Sequence, residues 1–313
     1  MEESALYSAQ PHEQHPSIHT LPPPLRGEGY SMRVCAPVGP YAKIVQEVRA
    51  QIAEEASRKL ILHHCPKCSD QEFIKRHLST DSQFCRSVVS MGYLTQQQME
   101  HAAQRYMLGM SRDGGVIFWQ TSSSGRLYDG KIMYYRPDCH RDHNHKPTWV
   151  MSELKKFYLK DFPELAAGLP SVHSLFGTHL LGDCKSPYQD SRITNPREQS
   201  GVVAVVEAEK TAFIMSEIYP QYLWLAAGGM NELTASKLFP LKGRKIILFP
   251  DTDEHHQAYS IWYKVCQEAQ FLLGHPVHLS PILERNATPD QKRRKIDLVD
   301  FYFELPSLQL KTS

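Results

Sequence analysis

The fold is decided by four short apolar runs: VVAVV at 202–206, YLWLA at 222–226, KIILF at 245–249 and PVHLS at 276–280. VVAVV is an unbroken apolar run, which is typical of a strand that is covered on both faces. Apolar residues at helical spacing follow the first and third runs. Strands that alternate with helices predict a mostly parallel four-stranded sheet with helices on both faces. The predicted fold class is therefore α/β.

Carboxylates follow two of these runs, at the points where the predicted strands end. Glu207 comes directly after the first run, and Asp251 and Asp253 follow the third. In open α/β sheets, ligand sites gather at the carboxyl ends of the strands. Carboxylate oxygens are hard ligands that suit Mg²⁺ or Mn²⁺. We therefore predict a divalent metal site at this edge, where Gly228 and Gly229 would also let backbone or a phosphate approach closely.

A purely structural role for these acids is the alternative. Asp and Glu at strand ends are common as helix N-caps and as solvated loop residues, and a single D-x-D motif is weak evidence of a metal site. The combination favours a site, because each acid follows an apolar strand within one βαβ framework. Glu209 is a rival to Glu207, but its place in the first turn of a helix favours a structural acid near the positive end of the helix dipole.

The same segments resemble the toprim domain of primases, topoisomerases and related nucleases. The resemblance lies in VVAVVEAEKTAF (202–213), WLAAGG (224–229) and IILFPDTDEHHQAY (246–259). KIDLVDFYFE (295–304) is similar to the K-D-L-x-D segment that closes primase-like toprim domains. The resemblance therefore implies a toprim-type sheet and Mg²⁺-dependent chemistry on nucleic acid.

Site roles follow from this resemblance. It implies that Glu207 is the toprim glutamate, acting as a general acid or base or through metal, and that Asp251 and Asp253 are metal ligands. Asp297 and Asp300 would be supporting acids of the same metal site, with helix capping and surface charge as the alternative. The role expected of these carboxylates is electrostatic, since the Mg²⁺ that they hold neutralises the charge that develops during phosphoryl or nucleotidyl transfer.

The resemblance extends more weakly upstream. Residues 106–135 contain two short aromatic and β-branched runs, VIFWQ and KIMYY, which predict a β-hairpin across the turn-like segment TSSSGRLYDG. They are similar to the strand-turn-strand that precedes toprim in bacterial primases, which implies that Lys131 contacts nucleotide or template. LFGTHLL at 175–181 resembles a linker motif of an uncharacterised bacterial toprim family that is associated with mobile elements.

Further basic residues are candidates for phosphate contacts. Lys210 follows the two glutamates and would complete a nucleotide site with Lys131, Gly228 and Gly229; a solvated helix lysine is the alternative. Residues 293–295, which read Arg-Arg-Lys, form a basic cluster before the last helix. They would bind backbone phosphate or form a solvated loop.

The domain organisation is predicted from changes in composition. Residues 1–35 are rich in Pro, His, Ser and Gln and predict a disordered or loosely docked arm. Residues 36–198 predict a smaller α+β, primase-like subdomain with helices over 41–62 and 83–110, the latter with Thr95 as an N-cap. Its end, 182–200, is the candidate linker. Residues 199–313 form the predicted toprim domain.

A structural zinc site is a second metal hypothesis. Cys65 and Cys68 form a C-x₂-C pair, which is half of a zinc motif. No second such pair exists, so the other ligands would have to come from His63, His64, His77 or Cys85. A further cluster of metal-compatible side chains lies in a polar loop, for which a loop without metal is the favoured interpretation: Cys139, His140, His143 and His145.

Composition limits the class of protein. Apolar residues make up 41% and charged residues 22% of the 313 residues, which is typical of a chain that can bury a core. Seven cysteines with one closely spaced pair argue against a disulfide framework. No apolar stretch is long enough to span a bilayer and the first residues do not resemble a secretion signal, so we expect a cytoplasmic protein without membrane contacts.

Three functions remain open from the sequence. The first is a primase-like enzyme in the replication of a mobile element, with DNA or RNA and nucleotides as ligands. No Walker A motif is present, so ATP-driven helicase activity is not expected in this chain, and a separate replicative helicase is a candidate partner. The second is a toprim nuclease that cleaves phosphodiester bonds. The third is a non-catalytic nucleic-acid-binding subunit, which the near-neutral net charge of +1 and the incomplete zinc motif suggest.

Overall fold

The structure is a computed structural model that describes residues 69–161, 163–169, 172–182 and 201–305. All of these residues belong to one compact unit. The predicted arm, the helix over 41–62, the Cys65/Cys68 pair and most of the candidate linker lie outside the described residues. Among the helices of the described residues, none is long and apolar enough to cross a membrane.

The first part of the fold is an antiparallel sheet with strand order β1-β2-β3-β4. Its strands are β1 (Gly109–Met110), β2 (Val116–Thr121), β3 (Leu127–Met133) and β4 (Thr148–Trp149). The predicted hairpin is confirmed, since β2 and β3 pair antiparallel with Phe118 opposite Lys131. Its turn is shorter than the sequence suggests, because β3 already begins at Leu127. Residues 127–130 of the supposed turn belong to the strand.

Helices surround this sheet. They are α1 (Asp70–Lys75), α2 (Gln83–Ser90), α3 (Gln96–Arg105), α4 (Val150–Asp161) and α5 (Pro163–Gly168). The helical region predicted over 83–110 forms two helices, separated by residues 91–95, and the second helix ends at Arg105 rather than at residue 110. Thr95 caps α3 in a capping box with Gln98, as its position predicts. The helix ends at Arg105, and Met107 adopts a left-handed conformation (φ 52°) that leads into β1.

The second part is a parallel four-stranded sheet with strand order β6-β5-β7-β8. Its strands are β5 (Val202–Val206), β6 (Leu223–Ala226), β7 (Lys245–Phe249) and β8 (Val277–Leu279). All three neighbouring pairs are parallel. The predicted α/β class and parallel sheet are confirmed. Since β5 and β7 are adjacent, their carboxyl ends lie side by side.

Helices cover both faces of the parallel sheet. They are α6 (Glu209–Ile218), α7 (Gln257–Leu273), α8 (Ile282–Asn286), α9 (Pro289–Arg294) and α10 (Leu298–Phe303); short 3₁₀ helices span Thr178–Leu181 and Ala235–Leu241. Successive residues of β5 point to opposite faces. Val205 packs in a core with Trp262 of α7, whereas Val206 packs in a different core with Phe213 of α6.

Aromatic contacts join the two sheets. Phe84 of α2 lies with its ring centroid 5.3 Å from that of Phe213 in α6 and 5.4 Å from that of Phe118 in β2. All three side chains are buried in one core. This packing places the β2–β3 hairpin beside the start of α6, next to the carboxyl end of β5.

Candidate functional site

A pocket of about 560 Å³ opens at the carboxyl ends of β5 and β7, between the parallel sheet and β3. It brings together most of the side chains that the sequence predicts for the site. The predicted residues in its wall are Lys131, Glu207, Lys210, Gly228, Gly229, Asp251, Asp297 and Asp300. Glu209 also lines the pocket, whereas Asp253 does not.

Glu207 and Asp251 form a carboxyl pair at the edge of the sheet. The backbone N–H of Asp251 donates to Glu207 Oε1 over 3.2 Å. Burial raises the pKa of Glu207 to about 7; the Asp251 N–H opposes this increase, and the charges of Asp253 and Asp297 reinforce it. Burial and the neighbouring Glu207 charge raise the pKa of Asp251 well above its usual range. Such a pair is stabilised by a proton or by a cation.

Asp253 has a different environment from Asp251. Its Oδ1 accepts from the backbone N–H of His255 over 2.8 Å, and its Oδ2 accepts from that of Ala258 over 2.9 Å. Burial would raise the pKa of Asp253, but hydrogen bonds from the start of α7 lower it below its usual value. Its carboxylate therefore caps α7.

Asp297 and Asp300 are held by Lys210. Lys210 Nζ lies 2.9 Å from Asp297 Oδ2 and 3.7 Å from Asp300 Oδ1. Asp297 is also the N-cap of α10, and Asp300 completes the capping box. Burial opposes ionisation of Asp297, but the Lys210 ammonium keeps its pKa below the usual value. Burial by itself would lower the pKa of Lys210, yet the two aspartates raise it. Lys210 is therefore a buried ion-pair residue rather than a solvated one.

Lys131 spans from β3 to the parallel sheet. Its Nζ lies 3.1 Å from Glu209 Oε2 and 2.6 Å from the carbonyl oxygen of Gly228. Glu209 is only 1% exposed, and its Oε1 has no hydrogen-bond partner among the described residues. Gly228 has φ 95°, and a Cβ there would lie 3.3 Å from Glu209 Oε1. No pattern in the sequence predicts that Lys131 and Glu209 form an ion pair.

Basic side chains form the outer rim of the pocket. Arg294 donates hydrogen bonds to the carboxylates of Glu304 and Asp290. Arg141 and Lys295 are exposed and form no ion pair with any residue that the structure describes. Residue type alone does not single out Arg141, because it lies in a polar loop with no regular spacing.

The described residues contain no group of three or more His, Cys, Asp or Glu side chains placed to hold a metal ion. Of the candidate zinc ligands, His77 is buried with its Nδ1 2.8 Å from the Phe73 carbonyl oxygen. Burial raises the pKa of the Cys85 thiol to about 11 and that of the Cys139 thiol to about 12. The zinc prediction for Cys65 and Cys68 lies outside the described residues.

Comparison with known proteins identifies a family. No curated protein and no solved structure matches the sequence. A family whose description is "Domain of unknown function (DUF6371)" matches residues 82–252, which is more than half of the 313 residues. The matched region contains the antiparallel sheet, β5 to β7, and both Glu207 and Asp251. The chain therefore belongs to the DUF6371 family.

Proposed function

We propose that this protein is a primase-like toprim protein that performs Mg²⁺-dependent nucleotidyl or phosphoryl transfer on nucleic acid during the replication of a mobile element. The observation that carries the proposal is the convergence of Glu207 and Asp251. They leave adjacent parallel strands and face one pocket, with the Asp251 N–H bound to Glu207 Oε1. This is the edge at which α/β sheets bind ligands.

The residues of this pair fit a divalent cation. Mg²⁺ usually keeps several waters and binds proteins through one or two carboxylates together with substrate phosphates. Glu207 and Asp251 would be these two ligands, and the unpartnered Oε1 of Glu209 is a third buried oxygen in the same pocket wall. A bound Mg²⁺ would supply charge neutralisation at the phosphate oxygens during transfer.

The remaining pocket residues suit a phosphate ester. Arg141 and Lys295 at the rim present cationic side chains that attract the nucleic-acid backbone. Gly228 and Gly229 leave the pocket wall without side chains, so a phosphate can approach the backbone.

The proposal is tested with the full chain, a single-stranded template, labelled nucleotides and Mg²⁺ or Mn²⁺. Asp251→Asn and Glu207→Gln keep the side-chain shapes but remove the charges, so we expect product formation to fall by about 100-fold or more. Glu268→Gln is the matched control, because Glu268 is exposed on α7. Equal product from wild type and both site variants would reject the site.

The alternative activities give different results on the same samples. Degradation of a labelled strand in the absence of nucleotides, lost in Asp251→Asn, would assign a toprim nuclease. Strand binding that ignores both the divalent metal and the two substitutions would assign a non-catalytic nucleic-acid-binding subunit.

A further inference from the structure

The ammonium group of Lys210 lies at the inner wall of the pocket, among carboxylates. Asp297 accepts four donors from the chain itself. Its Oδ2 is 2.9 Å from Lys210 Nζ and 2.8 Å from Thr211 Oγ1. Its Oδ1 accepts from the backbone N–H groups of Val299 and Asp300 over 2.8 and 2.9 Å. Both oxygens of Asp297 are therefore fully engaged.

The carboxylates of Glu207 and Asp251, in the other half of the pocket, are not held by a lysine or arginine in this way. Neither Glu207 nor Asp251 forms an ion pair within the part of the chain that the structure describes. Glu209 Oε1, in the same wall, is buried and has no hydrogen-bond partner among these residues. The pocket thus has one pair of acids, Asp297 and Asp300, that forms ion pairs with Lys210, and a second pair, Glu207 and Asp251, that forms none among the described residues.

We propose that Lys210 acts as a permanent counter-ion that takes the place of a second divalent cation, so that the site binds a single Mg²⁺ or Mn²⁺ through Glu207 and Asp251. This inference rests on the proposed function, since it assumes that this pair binds metal. Two-metal sites hold their ions about 3.5–4 Å apart by carboxylates that reach both. A second ion would need the carboxylates of Asp297 and Asp300, which the ammonium group of Lys210 already contacts. The positive charge of this ammonium group repels another cation.

Asp297 and Asp300, at the start of α10, also have a role in this arrangement. Asp297 and Asp300 would hold Lys210 in place and start α10, rather than bind metal. Lys210 is therefore a positioning residue that sets the number of ions and does not itself contact them.

The test counts Mn²⁺ ions bound to the full chain, using the electron paramagnetic resonance signal of free Mn²⁺ in a titration. We expect one ion per wild-type chain and none for Asp251→Asn. Lys210→Met removes the only cation that contacts Asp297 Oδ2 and Asp300 Oδ1 among the described residues, so a second ion is expected to bind there. Lys210→Arg keeps the charge, and Lys264→Met changes an exposed lysine of α7; both are expected to bind one ion.

Each outcome separates the inference from the proposed function. Two ions on the wild-type chain would overturn the role of Lys210 and leave the metal-dependent function intact, whereas no ion on the wild-type chain would overturn both. A single ion on a folded Lys210→Met variant would also contradict the inference. If that variant does not fold, the Asp300→Asn variant tests the inference instead. We expect Asp300→Asn to bind one ion, as the wild-type chain does. Loss of that ion would show that Asp300 is a metal ligand and would contradict the inference.

Discussion

His179 belongs to the 3₁₀ helix at Thr178–Leu181, and its buried imidazole packs against the end of α3. Its Nε2 is 3.0 Å from the carbonyl oxygen of Arg105, so this nitrogen carries the proton and donates it. Burial lowers the pKa of His179 from 6.5 to about 4, although the hydrogen bond to Arg105 opposes the change. His179 is therefore neutral in the folded protein at neutral pH.

This lowered pKa makes stability depend on pH. Because the unfolded chain binds the proton at higher pH than the folded chain does, the stabilisation is complete above pH 6.5 and is lost as the pH falls towards 4. Between pH 7 and pH 5 the loss is about 2 kcal/mol. Urea unfolding of wild type and His179→Gln at both pH values isolates the effect, since other groups cancel in the difference. We expect the advantage of wild type over the variant to shrink by this amount at pH 5; an unchanged difference would refute the assignment.

For individual residues, the sequence predicts where the site lies better than it predicts which side chains form it. Glu207 and Asp251 can be identified because each follows an apolar strand. The same reasoning includes Asp253, but the chain turns into α7 there, and backbone N–H groups occupy both of its carboxylate oxygens. The pairing of Lys131 with Glu209, 78 positions apart, depends on how the hairpin packs against α6. No periodicity in the sequence encodes that packing.

The segment 175–181 shows how one connecting element is fixed to the parallel sheet. Phe176 and Ala226 exchange two backbone hydrogen bonds, of 2.9 and 3.2 Å, which extend the sheet beyond β6. Gly177 follows with φ 87°, and a Cβ there would lie 2.9 Å from Leu225 Cδ2 and 3.1 Å from the Trp224 carbonyl oxygen. Both the conformation and the space therefore require glycine.

Substitution of Gly177 is expected to loosen this attachment. Gly177→Ala places a methyl group against the backbone of β6 and imposes a positive φ on a residue with Cβ, so we expect a loss of about 1–3 kcal/mol in the free energy of unfolding. Gly168→Ala is the matched control, because no atom lies within 4 Å of its added Cβ and its φ is not positive. Chemical denaturation measures both variants; equal stability of the two would contradict the expected strain.

Elements of the parallel sheet are predicted better than those around it. The strands β5 and β6 are unbroken apolar runs, β7 is apolar after Lys245, and α7 has a clear apolar face, so their order along the chain predicts the α/β class. Helix α4 has a weaker signal: Val150, Leu154 and Tyr158 recur every four residues, but β4 runs directly into the helix without a marked turn. The strand order β6-β5-β7-β8 arises from how the helices cross the sheet, which the linear pattern does not specify.

Across the whole molecule, the Lys131–Glu209 ion pair links the antiparallel sheet to the parallel one. The two side chains are 11% and 2% exposed, and the Nζ–Oε2 distance is 3.1 Å. Removing one partner of a buried pair leaves an uncompensated charge, which costs about 3–5 kcal/mol. Replacing both partners with uncharged side chains of similar size removes that penalty. The two sheets also share the core that contains Phe84, Phe118 and Phe213. A change at this ion pair is therefore expected to alter the free energy of unfolding of both sheets together.

A double-mutant cycle measures this link. We expect Lys131→Met and Glu209→Gln each to lower the free energy of unfolding by about 3 kcal/mol, and the double variant to lose much less than the sum of the two. The hydrogen bond to the Gly228 carbonyl disappears in both variants that lack Lys131, so part of the loss persists in the double variant. Since one core joins the sheets, fluorescence and circular dichroism should report a single coincident transition in every variant. Additive losses would show that Lys131 and Glu209 have no interaction energy with each other, which would contradict the proposed link. Two separated transitions would show that each sheet unfolds on its own.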